Sequence, residues 1–356
     1  MRKKIKILTE LTLKKMPNGI QMRISNFCNR FKSFLTKSYT KGNVSIHLLR
    51  YLDFIIVRTN GNRFIEFELS NICNARCVFC PYPDMLKTDK KFMHMDESIL
   101  NKIKLKLNAF KGELVSFTPT TGDTLLHPHW HSAMLGVIEH KGISRATMFT
   151  NAIALDEEAT SNLLDLIDLD KEGKLSQIYF SVGGLNAENY KSLYQVDRFE
   201  KVKTNITRFI QMLNEQNKCT GIHLHFKLKK DEVWDEVLVA KWFNPNNYPF
   251  VYYSKSVEYF SNSSFKKNAM IDYYPSENLD QKKPCAYLLK TRFAADGGIW
   301  ADGCVISEMP GDSSLKLGTV DDEWAEISKN RDKLIDNWTQ GNVPLPCQSC
   351  TVYRPI

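Results

Sequence analysis

From Arg63 onward the chain alternates short β-type runs with longer amphipathic stretches, and this alternation restricts the fold more than any other feature. Candidate strands cover 64–69, 114–118, 146–150, 178–182, 222–228 and 250–254. Helical patterns over 96–110, 157–169, 199–214 and 232–243 lie between them. Six β-then-α units in succession require a parallel sheet, and the count suits an open, partial (β/α)6 barrel of the α/β class. In such barrels the chemistry sits on loops at the C-terminal ends of the strands. The barrel is expected over 61–275.

The two flanks read differently. Residues 1–60 look helical and basic: Ile20, Ile24, Phe27, Cys28, Phe31, Phe34 and Leu35 keep helical spacing, with Arg23, Arg30, Lys32 and Lys37 nearby. Thirteen Lys and Arg against Glu10 and Asp53 put +11 on this end, whereas the whole chain carries +8, so the rest is net acidic. After about residue 275 the alternation stops. A hairpin through Gly297–Gly298 and a helix near 322–337 are expected in a small C-terminal domain over 276–356. No run reaches the roughly 20 apolar residues of a membrane span, and no signal-peptide pattern opens the chain. A cytoplasmic protein is expected.

Nine cysteines are many for a reducing compartment unless they bind metal. Three follow the first strand directly, in Cys73-Asn74-Ala75-Arg76-Cys77-Val78-Phe79-Cys80. Three thiolates on one short loop can bind three irons of a [4Fe–4S] cubane and leave the fourth iron open to a small molecule. Zinc is the alternative, but its structural sites favour closed sets of four ligands and this loop supplies three.

The loop resembles the signature of the radical S-adenosylmethionine (SAM) superfamily, C-x3-C-x2-C with an aromatic before the last cysteine, here Phe79. The resemblance covers about residues 62–356 and implies a TIM-like partial barrel, a cluster on Cys73, Cys77 and Cys80, and SAM chelated at the open iron. It implies reductive cleavage of SAM to a 5′-deoxyadenosyl radical that abstracts hydrogen from substrate. Where relatives carry a glycine-rich G-G-E-P turn after the second strand, this chain has Thr121-Gly122-Asp123-Thr124. Gly122 and Asp123 are therefore expected at the cofactor's amino group, with an ordinary β-turn as the alternative. Thr150-Asn151 fits the end of the third strand, which puts Asn151 at the pocket or in a plain turn. The fourth strand resembles S-x-D-G with Ser181 and Gly184 in place, but Gly183 stands where the acid would be, and a helix containing Tyr190 follows.

Cys285, Cys304, Cys347 and Cys350 form C-x18-C-x42-C-x2-C. Four thiolates close either a second [4Fe–4S] cluster or a tetrahedral zinc. The hairpin between the first two cysteines resembles a twitch domain, the short relative of the SPASM extension, and that resemblance implies one auxiliary iron–sulfur cluster. The chain ends six residues after Cys350, so a second auxiliary cluster is not expected.

The leading expectation is an oxidoreductase that oxidises or epimerises a sugar-like substrate, with the auxiliary cluster as electron acceptor. A peptide or protein maturase is the alternative, for which the first 60 residues look short. An electron-transfer or zinc-scaffold protein is the non-enzymatic reading. His223, His225 and Lys227 share one face of the fifth strand and are general-base candidates, with Tyr252 and Tyr253 behind them. The expected partners are a small-molecule or lipid-linked carbohydrate and a flavodoxin- or ferredoxin-type electron donor, with no nucleic acid. Residues 1–40 are expected either to pack on the barrel or to rest on the anionic inner face of the membrane.

Overall fold

Six strands lie side by side, all parallel, in the order in which the chain makes them. They are β1 (Phe64–Phe67), β2 (Glu113–Phe117), β3 (Ile143–Thr150), β4 (Leu175–Gly183), β5 (Gly221–Lys227) and β6 (Val251–Ser256). The protein is seen in a computed structural model that describes residues 64–110, 112–118, 120–259, 268–273, 283–301, 313–348, 350–351 and 353. The basic segment 1–60, with the helix expected in it, and Cys304 fall outside the described residues.

A parallel sheet whose strand order never reverses places its helices on one face and leaves a single concave face opposite. The helices are α1 (Tyr82–Met85), α2 (Glu97–Lys106), α3 (Trp130–Ile138), α4 (Glu157–Leu169), α5 (Ala187–Tyr194), α6 (Phe199–Glu215), α7 (Glu236–Phe243) and α8 (Trp324–Thr339). Their starts follow local chemistry. Asp96, Asp156, Asn186 and Asp235 each accept the backbone N–H three residues on, at 2.8–2.9 Å. In α6, Phe199, Val202, Ile206, Phe209, Ile210 and Leu213 repeat at helical spacing and all are buried. Phe180 of β4 meets Phe209 edge-on at 5.9 Å, and Phe226 of β5 meets Phe243 of α7 at 5.8 Å. Each such ring contributes about 1.5–3 kcal/mol by leaving water.

The helix expected from residue 232 starts at Glu236 instead. Asp235 caps it, and the Glu232 carboxylate is drawn away to accept the Leu185 N–H at 2.5 Å and the Asn189 amide at 2.8 Å. Helix α3 has no place in the sequence reading because it is apolar nearly all round, and five of its nine residues are buried.

After β6 comes a separate two-stranded piece, β7 (Glu258–Tyr259) with β8 (Asp272–Tyr273). The C-terminal segment then continues the main sheet. β9 (Thr291–Phe293) runs parallel on the free edge of β1, β10 (Gly298–Trp300) returns antiparallel, and β11 (Lys316–Thr319) completes nine strands. The expected hairpin is therefore present. Two buried ion pairs join the seam: Lys290 to Glu66 at 3.4 Å and Arg292 to Glu68 at 3.3 Å. Among the described residues no helix is long and apolar enough to cross a membrane.

Candidate active site

Cys73, Cys77 and Cys80 sit on the loop that leaves the C-terminal end of β1, at the mouth of the barrel. The loop is docked on the last turn of α5. The N–H groups of Arg76 and Val78 donate to the carbonyls of Tyr194 (3.0 Å) and Leu193 (2.9 Å), which have no acceptor role inside their own helix. The Arg76 guanidinium closes the loop on itself, donating to the carbonyls of Cys73 and Ala75 at 2.9 and 2.8 Å and lying over the Tyr82 ring. Tyr82 in turn accepts the Cys73 N–H at 3.0 Å.

Burial pushes the thiols up, Cys73 to about 12 and Cys80 to about 11, with Cys77 raised well above its ordinary value. After burial, the charges of Cys73 and Cys80 act on Cys77, so the three thiols share one neighbourhood. Among the described residues no three Cys, His, Asp or Glu side chains converge on a point that one metal ion would fill. A cubane asks for something else, one thiolate per iron around a larger centre. The buried Tyr190 hydroxyl has no hydrogen-bond partner among the described residues, and the thiols of Cys77 and Cys73 add to burial in pushing its titration up. An orphaned polar atom beside three grouped thiols fits a bound cluster and its ligand, and loading iron must displace the thiol protons.

The turn after β2 closes against this loop. A Cβ on Gly122 would fall 2.0 Å from the Ser70 carbonyl, so only glycine lets the two backbones approach this closely. Asp123 donates its N–H to the Ile72 carbonyl at 2.9 Å. Its carboxylate is buried, is pushed up to about 6 by that burial, and accepts from the N–H groups of Leu125 (3.0 Å) and Asn151 (2.8 Å) and from the Thr150 hydroxyl. The Asn151 side chain donates to Asn74 at 2.8 Å and approaches the Cys73 sulfur at 3.8 Å. Gly122, Asp123 and Asn151 thus form one unit against the cysteine loop.

At the end of β4, Gly184 donates its N–H to the Lys227 carbonyl at 2.8 Å, and Ser181 meets the Tyr194 hydroxyl at 2.8 Å. Gly183 has a physical reason to lack a carboxylate. A Cβ there would lie 2.4 Å from the Tyr194 ring, which stacks on Tyr190 at 4.8 Å. Phe79 stacks on Tyr259 at 5.1 Å, and the Lys227 amine lies 5.7 Å from both ring centres. Burial pushes that amine down to about 8, and the Cys77 charge opposes the shift.

His223, His225 and Lys227 do share the concave face, below and at the mouth; Ile222, Leu224 and Phe226 point to the helices. Ser254 and Tyr252 face the same way from β6, and Tyr253 faces the opposite way. A ring column crosses three strands here, with Phe149 on Tyr179 at 4.1 Å and Tyr179 on His223 at 4.7 Å. Sequence reasoning missed Gln177, Tyr179, Tyr194, Ser254, Ser256 and Tyr259. Period-two placement opposite His225 and Lys227 was the available signal for the serines.

In the C-terminal segment, Cys285 is buried, and Cys350 donates its N–H to the Cys347 carbonyl at 3.2 Å. Tyr353 stacks on Trp338 of α8 and donates its hydroxyl to the Lys283 carbonyl at 2.6 Å. That bond ties the Cys347–Cys350 pair to the chain just before Cys285.

The family model described as Radical SAM superfamily matches residues 67–281, well over half of the chain. This chain belongs to the radical SAM superfamily. Membership brings a [4Fe–4S] cluster and SAM to the barrel mouth just described. A GTP 3′,8-cyclase of Chlorobaculum tepidum is 25% identical over 149 residues, 41% of each protein, so this radical SAM chain spans less than half of that relative's length. The solved structure of anSMEcpe with bound AdoMet superposes with a TM-score of 0.51 at 14% identity, over 78% of this chain and 80% of that one. BtrN, solved with AdoMet and 2-DOIA, gives 0.45 at 14% identity over 82% and 92%. At these identities the likeness concerns the fold.

Proposed function

We propose that this radical SAM enzyme oxidises a sugar-like, polyhydroxylated small molecule at a carbon bearing a hydroxyl group. In this reading an auxiliary [4Fe–4S] cluster on Cys285, Cys304, Cys347 and Cys350 accepts the second electron. The lining of the concave face carries the proposal. Ser116, Thr147, Gln177, Ser181, His223, His225 and Ser254 all present groups that can exchange hydrogen bonds. A hydroxyl-rich ligand can exchange hydrogen bonds with the remaining donors and acceptors of such a surface, and an apolar one cannot. The tie between Tyr353 and Lys283 supports a common site for the C-terminal cysteines.

With cluster and SAM bound, the pair supplies a 5′-deoxyadenosyl radical after one-electron reduction. The chain's own residues hold and orient. Cys73, Cys77 and Cys80 would ligate three irons, and the unit of Gly122, Asp123 and Asn151 would border the cofactor's methionyl end. Phe79, Ser181 and Gly184 would flank the remainder. The electron is proposed to come from a flavodoxin- or ferredoxin-type donor. Residues 1–40 would meet an anionic membrane bearing a lipid-linked carbohydrate, and co-sedimentation with anionic but not neutral liposomes tests that contact.

Anaerobically reconstituted protein should hold about eight irons and yield 5′-deoxyadenosine with dithionite and SAM. Offered a panel of aminocyclitols and sugars, it should form one ketone per SAM consumed. Turnover on peptides alone would overturn the substrate class.

A further inference from the structure

The Ser254 hydroxyl stands between two imidazoles. Its oxygen is 2.6 Å from His223 Nε2 and 2.6 Å from His225 Nδ1. The far nitrogen of His225 lies 2.9 Å from the Ser256 hydroxyl, and the far nitrogen of His223 lies 3.4 Å from the Gln177 amide. The result is a line of polar atoms, Ser256–His225–Ser254–His223–Gln177, running down the concave face from the mouth. Strand register makes it: Ser254 pairs with His225, and Gln177 stands two residues before Tyr179, the partner of His223.

We infer that Ser254 couples His225 to His223 as a proton relay, which receives the hydroxyl proton of the substrate as it is oxidised. The inference rests on the proposed oxidation. A hydroxyl has one proton, so Ser254 donates to one ring and accepts from the other. The tautomers of the two histidines are therefore locked together. The Gln177 amide can close either arrangement, because the Tyr179 hydroxyl beside it (2.9 Å) can donate or accept.

Removal of a hydrogen atom leaves an electron on the carbon that bears the hydroxyl. The O–H bond then breaks, a C=O double bond forms, and one electron passes to an iron–sulfur acceptor. The proton enters through Ser256 to His225 Nε2. The proton on His225 Nδ1 moves to Ser254, whose own proton moves to His223 Nε2, and His223 ends as the imidazolium.

Two observations give the relay a direction. The charge of Lys227 opposes a proton on His225, where burial, Lys227 and His223 hold the ring down to about 3; His223 is held to about 4 by burial alone. His223 also stacks on Tyr179, whose ring face favours a cation. The titratable groups facing the pair are Lys227 on their own strand, Tyr179 on β4 and Tyr252 on β6.

The test is an NMR titration of the oxidised, anaerobic holoenzyme labelled with 15N-histidine, whose eight histidines can be resolved and assigned. In wild-type protein the ring nitrogens of His223 and His225 should shift together as a single proton is taken up. Ser254→Ala should separate them into two independent titrations, and Ser254→Thr, which keeps the hydroxyl, should restore the joint one. Independent titration in wild type would overturn the relay, as would an unchanged joint titration in S254A. Should S254A fail to fold, the wild-type and S254T titrations still decide. This readout needs no substrate turnover, so it fails separately from the oxidation, which falls if wild-type protein forms no ketone from any polyol.

Discussion

The hydroxyl of Thr150 donates to both oxygens of the buried Asp123 carboxylate, each at 3.0 Å. The contact joins the end of β3 to the turn after β2, and the Asn151 N–H reinforces it at 2.8 Å. With the Leu125 N–H on the first oxygen, every donor around this carboxylate points at it. Asp123 therefore organises the mouth, beside the proposed cofactor site.

Asp123→Asn keeps the shape and replaces one acceptor with a donor that meets donors. A buried polar group left unsatisfied costs about 1–3 kcal/mol, so the denaturation midpoint should fall by that equivalent. SAM affinity, measured by equilibrium dialysis on the iron-loaded protein, should weaken in parallel. A variant with wild-type stability and affinity would remove Asp123 from both roles.

Gly183→Ala tests how the cysteine loop is positioned. The added methyl would sit 2.4 and 2.5 Å from two carbons of the Tyr194 ring. Tyr194 must then shift, and its carbonyl is one of the two that hold the loop N–H groups. Overpacking of this kind costs about 1–3 kcal/mol. Reconstitution should be slower and the iron content lower than wild type, as read by absorbance near the cluster's charge-transfer band. Full iron loading at the wild-type rate would show that α5 does not support the loop.

His223 and His225 make stability depend on pH in a definite direction. Burial lowers both rings, to about 4 and about 3, below the ordinary histidine value. Between those values and about 6.5 the unfolded chain binds protons that the folded one refuses, so the pair makes stability fall as pH drops through this window. Urea midpoints of wild type and His223→Gln/His225→Gln, compared from pH 7 to pH 5, should diverge from the parallel. Wild type should lose stability faster, by up to about 1.4 kcal/mol per pH unit for each proton. Parallel curves would mean that the two rings titrate normally.

The barrel was legible because strand burial is two-sided. Ile222, Leu224 and Phe226 alternate with His223, His225 and Lys227, and that pattern alone assigns one face to the helices and one to the site. The helical patterns beginning at Asp96 and Glu157 hold for a local reason, the Asp96 and Asp156 side-chain oxygens within reach of a free N–H, whereas Asp235 caps a helix whose pattern began earlier, at Glu232. The cysteine loop was legible because three thiols at short spacing have few other uses. What stayed hidden depends on distant pairing. Nothing local ties Gly183 to Tyr194, Ser254 to two histidines, or Glu232 to the Leu185 N–H. Likewise, β9 read as part of a separate C-terminal piece, because its place beside β1 is fixed by the ladder and by the Arg292–Glu68 pair, about 220 residues apart in sequence.

Cys347→Ala separates the two proposed clusters. The thiols that would start the chemistry, Cys73, Cys77 and Cys80, lie at the barrel mouth, and Cys347 lies beyond α8 at the other end of the sequence. Losing one of four ligands should reduce the iron content of reconstituted protein from about eight toward about four. Reductive cleavage of SAM should continue, since the mouth loop, its α5 anchor and the Asp123 unit are untouched. Product should not follow, because a substrate radical with no electron acceptor can only take hydrogen back or be diverted. The measurement is 5′-deoxyadenosine against ketone, both quantified by chromatography from the same reaction. The expected ratio rises from near one in wild type to many cleavages per product in the variant. A variant that keeps a ratio near one would show that the C-terminal cysteines do not carry the electron away, and the oxidation would then need another acceptor.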